Sequence, residues 1–299
     1  MKALILGVSG VLGHQVYLKF KESEKFSSVK GTIKEEKELL KSYKFFILDD
    51  IYDKIDFHTK GFKMIEDIIL DYKPDIVVNC IVIKSNNENQ EKCFLINSFL
   101  PHYLAQLLNS YKGKLIQIST DGIFTGTKGN YSESDPSDTK DIYGQSKFLG
   151  EVRYRNHLTI RTSIFGHELF GKKTGLLEWF ISAKKPVYGY KNIYFSGIST
   201  NLLAEIIIKT IELKARGVIN IGSKKKISKY NLLCLINKEY KLNKKILPLE
   251  IIPKVDRSLS VTKMLESGIS PLGHREMIRN MRKEYIKNEV ISYKNEKYV

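Results

Sequence analysis

Residues 2–20 read KALILGVSGVLGHQVYLKF, and this stretch decides the fold. Four apolar residues, from Ala3 to Leu6, form a short run that is typical of a buried strand. Three glycines spaced as GxxGxxG follow, and apolar residues then recur at helical intervals up to Phe20. A strand, a glycine-rich turn and a helix form a dinucleotide site, because glycines let the backbone approach a pyrophosphate and the helix N-terminus supplies free N–H groups. The expected contacts with a dinucleotide are Gly7, Ser9, Gly10, Val11, Leu12 and Gly13.

The end of the second expected strand bears on the choice of cofactor. This strand covers residues 28–33, and Lys34 follows it directly. An NAD site usually has Asp or Glu here for the ribose 2′-hydroxyl, whereas a lysine suits the 2′-phosphate of NADP. Thr32 is a second candidate donor to that phosphate. The sequence therefore favours NADP(H), but Glu35 and Glu36 follow at once, so NAD(H) stays open.

A tyrosine and a lysine four residues apart, Tyr143 and Lys147, are candidates for proton transfer. In a helix both side chains would project from one face. A free phenol has a pKa of about 10, and a neighbouring cation would lower that pKa. Thr120 ends an apolar run and could hydrogen-bond an oxygen on which charge develops. Such pairs also arise by chance in a chain rich in Tyr and Lys, so the catalytic assignment of Thr120, Tyr143 and Lys147 depends on the glycine-rich turn.

Strands and helices alternate along the chain. Apolar runs predict further strands at 45–48, 75–80, 114–118, 158–162, 192–195 and 218–221, and helices at 61–71, 93–108 and 199–214. This alternation predicts an α/β fold with a doubly wound parallel (Rossmann) sheet and a second, smaller C-terminal substrate lobe. We expect the dinucleotide-binding domain at 1–164 plus about 187–222, and the substrate lobe at about 165–186 plus 223–299. Ligands of such sheets bind at the carboxyl ends of strands, where we expect Gly7, Lys34, Asp50, Cys80 and Thr120.

Composition and charge narrow the classes of function. The formal net charge is +16, but lysines are spread along the whole chain, so we expect no nucleic-acid partner. A diffuse positive field still favours anionic ligands such as a dinucleotide or a nucleotide sugar. No apolar run approaches the roughly 20 residues that span a bilayer, and we expect neither a membrane span nor a signal segment, hence a cytoplasmic protein. Three cysteines without a CxxC pair and six scattered histidines predict neither a disulfide framework nor a metal site.

Several motifs occur together: Gly7-x-x-Gly10-x-x-Gly13, Ser119-Thr120-Asp121, Tyr143-Gly144-x-Ser146-Lys147 and Gly150-Glu151. In this combination the chain resembles the extended short-chain dehydrogenase/reductase superfamily. Within it, the chain is most similar to the dTDP-4-dehydrorhamnose reductase family, through residues 119–124, Tyr131-x-Glu133 and 161–163. The likeness covers roughly residues 1–210 well and the C-terminal part loosely.

The resemblance implies an NADP(H)-dependent reductase of a 4-keto-6-deoxy nucleotide sugar in bacterial surface-polysaccharide synthesis. Tyr143 would deliver a proton to the substrate carbonyl oxygen as hydride arrives, and Thr120 would hold that oxygen. Lys147 would lower the pKa of Tyr143 and bind the nicotinamide ribose. The resemblance also implies a homodimer through helices at 93–108 and 143–154. Further cofactor contacts that it implies are Asp50, Ile51, Cys80, Ile81, Val82 and Asn97.

Three positions depart from the family pattern or bear on the substrate. Gly122 stands where the family often has an aromatic residue, which opens space beside the sugar. Lys84 could meet a substrate phosphate or hydroxyl, and Arg257 could clamp a substrate pyrophosphate through bidentate hydrogen bonds. The expected substrate-binding residues are therefore Lys84, Thr120, Asp121, Gly122 and Arg257.

Other roles known in the superfamily fit the sequence less well than the reductase does. Nucleotide-sugar 4,6-dehydratases usually carry Asp-Glu after the threonine, and Gly122 removes the second carboxylate. A nucleotide-sugar epimerase with tightly bound NAD stays open, although Lys34 counts mildly against it. A non-catalytic dinucleotide-binding regulatory subunit is a further alternative, but such a subunit has no need of Thr120, Tyr143 and Lys147 together.

Overall fold

The protein is described by a computed structural model that covers residues 1–84, 89–170 and 175–288. Its largest sheet contains seven parallel strands: β1 (Lys2–Leu6), β2 (Ser28–Thr32), β3 (Ile51–Tyr52), β4 (Ile76–Asn79), β5 (Lys114–Thr120), β6 (Leu158–Thr162) and β11 (Gly217–Ile221). Across the sheet the order is β3-β2-β1-β4-β5-β6-β11. The chain therefore reverses its direction of winding between β1 and β4, which is the position where ligands bind in such sheets.

Helices cover both faces of this sheet, and the strands are apolar for that reason. Alternate residues of β1 enter different cores: Ala3 and Ile5 pack with α1 and α7, whereas Leu4 and Leu6 pack with α2 and α4. A π-helical segment, Phe94–Phe99, joins α3 directly to α4. The arrangement confirms the predicted α/β fold with a doubly wound parallel sheet. The helices of this part are α1 (Gly13–Glu22), α2 (Gly61–Tyr72), α3 (Gln90–Cys93), α4 (Leu100–Asn109), α5 (Ile142–Leu149) and α7 (Thr200–Glu212).

The third strand does not lie where the sequence predicted it. Residues 45–48 were expected to be extended, but β3 begins only at Ile51, after a 3₁₀ turn at Leu48–Asp50. The reason is aromatic packing: the ring of Phe46 is buried and lies 5.2 Å from that of Tyr17 on α1. The run that resembled a strand therefore covers α1 from outside the sheet, and the edge strand is short.

A second, smaller lobe has its own core, formed by two small sheets and three helices. Strand β8 pairs in parallel with β13, while β9 lies between β12 and β14. Strands β7 (Ile164–Phe165) and β10 (Ile198–Ser199) form a short parallel pair. They are at two points where the chain passes from one lobe to the other. The elements of the second lobe are α6 (Leu176–Ser182), β8 (Val187–Tyr190), β9 (Ile193–Phe195), β12 (Ile227–Ser228), α8 (Lys229–Glu239), β13 (Ile246–Leu249), β14 (Val255–Asp256) and α10 (His274–Lys287). The short helix α9 (Thr262–Glu266) instead packs against β11 in the core of the large sheet.

The boundary between the lobes differs in detail from the expected one. Residues from about 187 to 222 were assigned to the dinucleotide-binding domain, and within them α7 and β11 do join the large sheet and its core. Strands β8 and β9, however, pair with strands from 227–256. We propose a division in which 187–195 also belongs to the second lobe. In the described part of the chain, no helix has both the length and the apolar character needed to cross a membrane.

Candidate active site

The glycine-rich turn holds β1 and α1 closer together than side chains would allow. Gly7 has φ of +79°, in the left-handed region that favours glycine. Its N–H donates to the carbonyl oxygen of Thr32 at 3.1 Å, which fixes the turn to the end of β2. A Cβ atom on Gly13 would lie 2.0 Å from the carbonyl oxygen of Gly7, so no larger residue fits there. The turn thus presents the N-terminus of α1 without a side chain in front of it, as anion binding requires.

A cleft of about 610 Å³ lies beside this turn, over the carboxyl ends of β1, β2, β4 and β5. Parallel strands bring their carboxyl ends to one edge, which is why residues distant in sequence meet here. The structure brings both the expected phosphate-binding turn and the expected catalytic residues into this one cleft. The predicted site residues that line it are Gly7, Ser9, Gly10, Val11, Leu12, Thr32, Lys34, Cys80, Ile81, Val82, Lys84, Thr120, Tyr143 and Lys147.

The remaining predicted site residues are not part of the cleft lining. Asp50 is bound by the ammonium of Lys21 at 2.7 Å, and Ile51 is buried in the core. Both positions were expected at the cleft because β3 was expected to end there, whereas β3 only begins at Ile51. The residues in question are Gly13, Asp50, Ile51, Asn97, Asp121, Gly122 and Arg257.

The segment after β3, residues 55–58, lines the part of the cleft where Asp50 and Ile51 were expected. This placement was not predicted from the sequence. After β3 the chain turns at Lys54, which has φ of +57°, and then follows the cleft edge. The apolar alternation of Ile55 and Phe57 around Asp56 was a weak signal for this placement. Lys34 extends toward the segment, and its ammonium lies 3.2 Å from the Asp56 carboxylate. The lining residues of the segment are Ile55, Asp56, Phe57 and His58.

Tyr143 reaches the cleft because α5 begins close to the end of β5. The carboxylate of Asp141 accepts a hydrogen bond from the backbone N–H of Gly144 at 3.0 Å and caps the helix. A Cβ atom on Gly144 would lie 2.3 Å from the carbonyl oxygen of Gly122, so glycine permits this close approach. The Thr120 hydroxyl hydrogen-bonds the Tyr143 phenol and also accepts from the N–H of Gly122 at 3.0 Å. Two hydroxyls that can interact with one substrate oxygen are thereby held side by side.

The acidity of Tyr143 differs from the expectation. We expected Lys147 to lower its pKa, but burial raises the pKa of Tyr143 to about 12, and the Thr120 hydrogen bond opposes this only in part. The nearby carboxylates of Asp121 and Asp141 raise the pKa of Tyr143 further. Tyr143 is therefore protonated at neutral pH, which is the form that a proton donor requires.

Lys147 lies deep in the cleft, where its ammonium donates to the carbonyl oxygen of Ile118 at 2.6 Å. Burial lowers the pKa of Lys147 to about 8, and the carboxylate of Glu151 opposes this shift. The side chain is still mostly charged at neutral pH. Burial raises the pKa of the neighbouring Cys80 thiol to about 12. The thiol is therefore neutral where Cys80 lines the cleft.

Asn97 does not line the cleft, but its hydrogen bonds join two elements that do. Its buried amide accepts from the backbone N–H of Ile83 at 3.0 Å and donates to the carbonyl oxygen of Ile83 at 2.8 Å. It also donates to the hydroxyl of Ser146 on α5 at 3.0 Å. The residue therefore joins the loop after β4, which lines the cleft, to the helix that carries Tyr143 and Lys147.

Arg257 lies in a charged group with Asp121 and Lys229, beside the cleft. Burial raises the pKa of Asp121, and the two cations oppose this shift. The ammonium of Lys229 lies 3.4 Å from the centroid of the Phe195 ring. Within the described ranges the buried Nε of Arg257 has no hydrogen-bond partner. Lys229 was missed from sequence, because nothing in its local pattern relates it to a residue more than 100 positions away.

A buried ion pair between Arg161 and Glu151 is hydrogen-bonded to the end of β5. The guanidinium of Arg161 donates to Glu151 at 2.8 and 2.9 Å, and both side chains are fully buried. Glu151 also accepts from the hydroxyl of Ser119 at 2.9 Å and from the half-exposed Arg153 at 2.6 Å. The ion pair therefore fixes the residue that precedes Thr120. Within residues 1–84, 89–170 and 175–288, no group of three or more His, Cys, Asp or Glu residues could hold a metal ion.

Comparison with known proteins identifies the family of this chain. The family described as "RmlD substrate binding domain" matches residues 1–281. The spore coat polysaccharide biosynthesis protein SpsK of Bacillus subtilis is 32% identical over 230 residues, which are 71% of this chain and 80% of that protein. A hypothetical dTDP-4-dehydrorhamnose reductase from Sulfolobus tokodaii has 25% identity and a TM-score of 0.74, covering 92% of this chain and 98% of that one.

A more distant solved structure shares the fold. The dTDP-4-dehydrorhamnose reductase of Bacillus anthracis, in complex with NADP, has 17% identity and a TM-score of 0.74, covering 95% of this chain and 99% of that one. The seven-stranded sheet, the glycine-rich turn and the extent of the family match lead to one assignment. The chain belongs to the RmlD substrate-binding-domain family, within the extended short-chain dehydrogenase/reductase superfamily.

Proposed function

We propose that this protein is an NADP(H)-dependent reductase of a 4-keto-6-deoxy nucleotide sugar, acting in the synthesis of a surface polysaccharide. The observation that carries the proposal is the position of Tyr143. Its protonated phenol lies beside Thr120 in the cleft that begins at the glycine-rich turn. The names of the relatives support the substrate class, since they refer to a spore coat polysaccharide and to dTDP-4-dehydrorhamnose.

The cleft fits a nicotinamide dinucleotide. At the end of the glycine-rich turn there is no room for a Cβ atom on Gly13, so backbone groups of the turn are free to face the cleft. When bound, NADPH supplies the hydride that reduces the keto carbon. Lys34 and Thr32 at the far end suit the 2′-phosphate, which distinguishes NADPH from NADH.

Two residues of the chain then act on the substrate carbonyl, and a third acts on the cofactor ribose and on Tyr143. The Tyr143 hydroxyl donates its proton to the carbonyl oxygen, so that the ketone becomes an alcohol and Tyr143 a phenolate. The Thr120 hydroxyl donates a hydrogen bond to the same oxygen while negative charge develops on it. The Lys147 ammonium binds ribose hydroxyls and stabilises the phenolate until it regains a proton from solvent.

The Tyr143→Phe variant tests this assignment, because it removes the proton donor and keeps the ring. NADPH oxidation is followed by absorbance with a panel of dTDP- and UDP-linked 4-keto-6-deoxy sugars. We expect turnover to fall by about 10²–10⁴-fold while the Kd for NADPH changes little. Tyr154→Phe is the matched control, since Tyr154 is on the surface, where its hydroxyl bonds His102, and outside the cleft lining.

Three other results would contradict the proposal in different ways. Unchanged turnover in Tyr143→Phe would remove Tyr143 as the acid. Isomerisation of a nucleotide sugar without consumption of NADPH would identify an epimerase. Binding of NADPH without turnover of any sugar in the panel would favour a dinucleotide-binding regulatory subunit.

A further inference from the structure

A buried polar chain connects the glycine-rich turn to the last helix of the described structure. The ring of His14, on the first turn of α1, is fully buried, with Nδ1 2.8 Å from the carbonyl oxygen of Gly10. Its Nε2 lies 2.6 Å from the hydroxyl of Tyr285 on α10, which is also buried. These contacts join residues 271 positions apart in the sequence.

The chemistry of these groups fixes the position of each proton. A carbonyl oxygen can only accept, so His14 Nδ1 carries the hydrogen and donates it to Gly10. Burial lowers the pKa of His14 to about 4, so the ring is neutral at physiological pH and Nε2 is an acceptor. The Tyr285 hydroxyl must therefore donate to His14. Without that hydroxyl, His14 Nε2 would be a buried acceptor without a partner.

The position of Tyr285 is set by the second lobe and by α1. Its ring packs on that of His167, with 4.4 Å between centroids. His167 in turn bonds the hydroxyl of Tyr240 at 2.8 Å and the carboxylate of Glu178 at 2.5 Å. The neighbouring residue on α10, Glu284, pairs with the ammonium of Lys19 at 2.9 Å. Helix α10 is thus held from both lobes at the level of Tyr285.

The carbonyl that receives the hydrogen bond belongs to the phosphate-binding turn. Because a trans peptide unit is planar, the N–H of Val11 points opposite to the carbonyl of Gly10. Val11 lines the cleft, and within the described residues its N–H has no protein acceptor. The carbonyl of Gly10 also accepts from the backbone N–H of His14 at 3.3 Å, so the side chain and the main chain of His14 together fix the direction of this carbonyl and, with it, the direction of the N–H of Val11.

We propose that Tyr285 is a positioning residue for the dinucleotide site, acting through His14 on the peptide unit between Gly10 and Val11. The inference rests on the proposed function in one respect, namely that the glycine-rich turn binds a dinucleotide. Helix α10, far from the glycine-rich turn in sequence, thereby takes part in setting the affinity for the cofactor.

The test compares two buried tyrosines that each lose a hydroxyl. In Tyr285→Phe the Kd for NADPH, measured by fluorescence titration, rises about ten-fold, while kcat at saturating NADPH stays within two-fold. In Tyr240→Phe, which removes a hydroxyl bonded to His167 but not to His14, the Kd stays within two-fold. An unchanged Kd in Tyr285→Phe, or a Kd raised equally in Tyr240→Phe, overturns the proposal.

A second pair of variants addresses His14 itself and guards against a folding defect. The amide of His14→Gln can donate to the carbonyl of Gly10 and accept from Tyr285, so affinity stays within about three-fold of the wild type. His14→Leu can do neither and weakens binding at least as much as Tyr285→Phe. Equal affinities of the Gln and Leu variants would contradict the proposal.

Hydrogen exchange of the ligand-free proteins separates this inference from the proposed function. The amides of residues 9–13 exchange faster in Tyr285→Phe than in the wild type, and at the wild-type rate in Tyr240→Phe. If the wild type binds no NADPH, the proposed function fails, but the exchange rates still decide whether Tyr285 orders the turn. Unchanged exchange in Tyr285→Phe refutes the inference whatever the protein binds.

Discussion

Replacing Glu151 with glutamine should destabilise this protein more than any change of a surface charge. Glu151 and Arg161 form a bidentate pair, at 2.8 and 2.9 Å, with both side chains fully buried. Glutamine keeps the shape of the side chain but removes the negative charge. The guanidinium of Arg161 would then be a buried cation without a counter-ion, and the amide NH₂ would face other donors, among them the hydroxyl of Ser119.

The expected magnitude follows from this burial. Breaking a buried pair by removing one partner costs about 3–5 kcal/mol, because the remaining charge has lost its water and gained nothing in return. The free energy of unfolding of a typical domain is about 5–15 kcal/mol, so Glu151→Gln removes about a fifth of it or more. The melting temperature should fall by on the order of 10 °C.

Urea unfolding followed by circular dichroism measures this loss. Arg153→Ala is the control, because Arg153 bonds the same carboxylate from a half-exposed position and should cost about 1 kcal/mol or less. A double variant, Glu151→Leu with Arg161→Met, removes both charges and should recover most of the stability. If Glu151→Gln unfolds within about 1 kcal/mol of the wild type, the argument from uncompensated burial is refuted.

Three further predictions concern the cleft. Gly13→Ala places a Cβ atom 2.0 Å from the Gly7 carbonyl oxygen and should weaken NADPH binding at least ten-fold in a fluorescence titration, whereas Gly273→Ala, at a position with no neighbour within 4 Å, should not. Lys34→Asp should raise the Kd for NADPH by about 10–100-fold, the worth of one charge-assisted hydrogen bond, and leave the Kd for NADH nearly unchanged; equal losses for both would remove Lys34 from the 2′-phosphate site. Lys147, whose pKa is lowered to about 8, is a cation below that pH and neutral above it, so kcat/KM should decline as pH rises from 7 to 9. Lys147→Met should abolish that decline. If kcat/KM of this variant still declined from pH 7 to 9, the titration would belong to another group.

Local sequence signals predicted the parts of the site that depend on spacing alone. The glycine-rich turn follows from steric demands within seven residues, and the four-residue interval of Tyr143 and Lys147 follows from helix geometry. Both features are present in the structure, because neither depends on contacts with residues distant in the sequence. The carboxyl edge of a parallel sheet then brings Thr120 to the same cleft.

Features that depend on distant packing could not be predicted in this way. The run at 45–48 has strand composition, but the ring of Tyr17 on α1 offers Phe46 a better partner than a sheet edge does. That difference moved the start of β3 and placed Asp56 where Asp50 was expected. The pKa of Tyr143 was misjudged for a related reason: its value depends on how much water surrounds the phenol, which the sequence alone does not indicate.

The π-helical segment Phe94–Phe99 makes the length of this part of the chain critical. Asn97 lies within it, and its three hydrogen bonds to Ile83 and Ser146 require one orientation of the side chain. An α-helix advances by 100° per residue, so deleting a single residue here would regularise the helix and swing Asn97 about a quarter turn away. Relatives or designed variants that shorten the segment should therefore lose the hydrogen bonds by which Asn97 joins the loop after β4 to α5, even when every proposed catalytic side chain is retained.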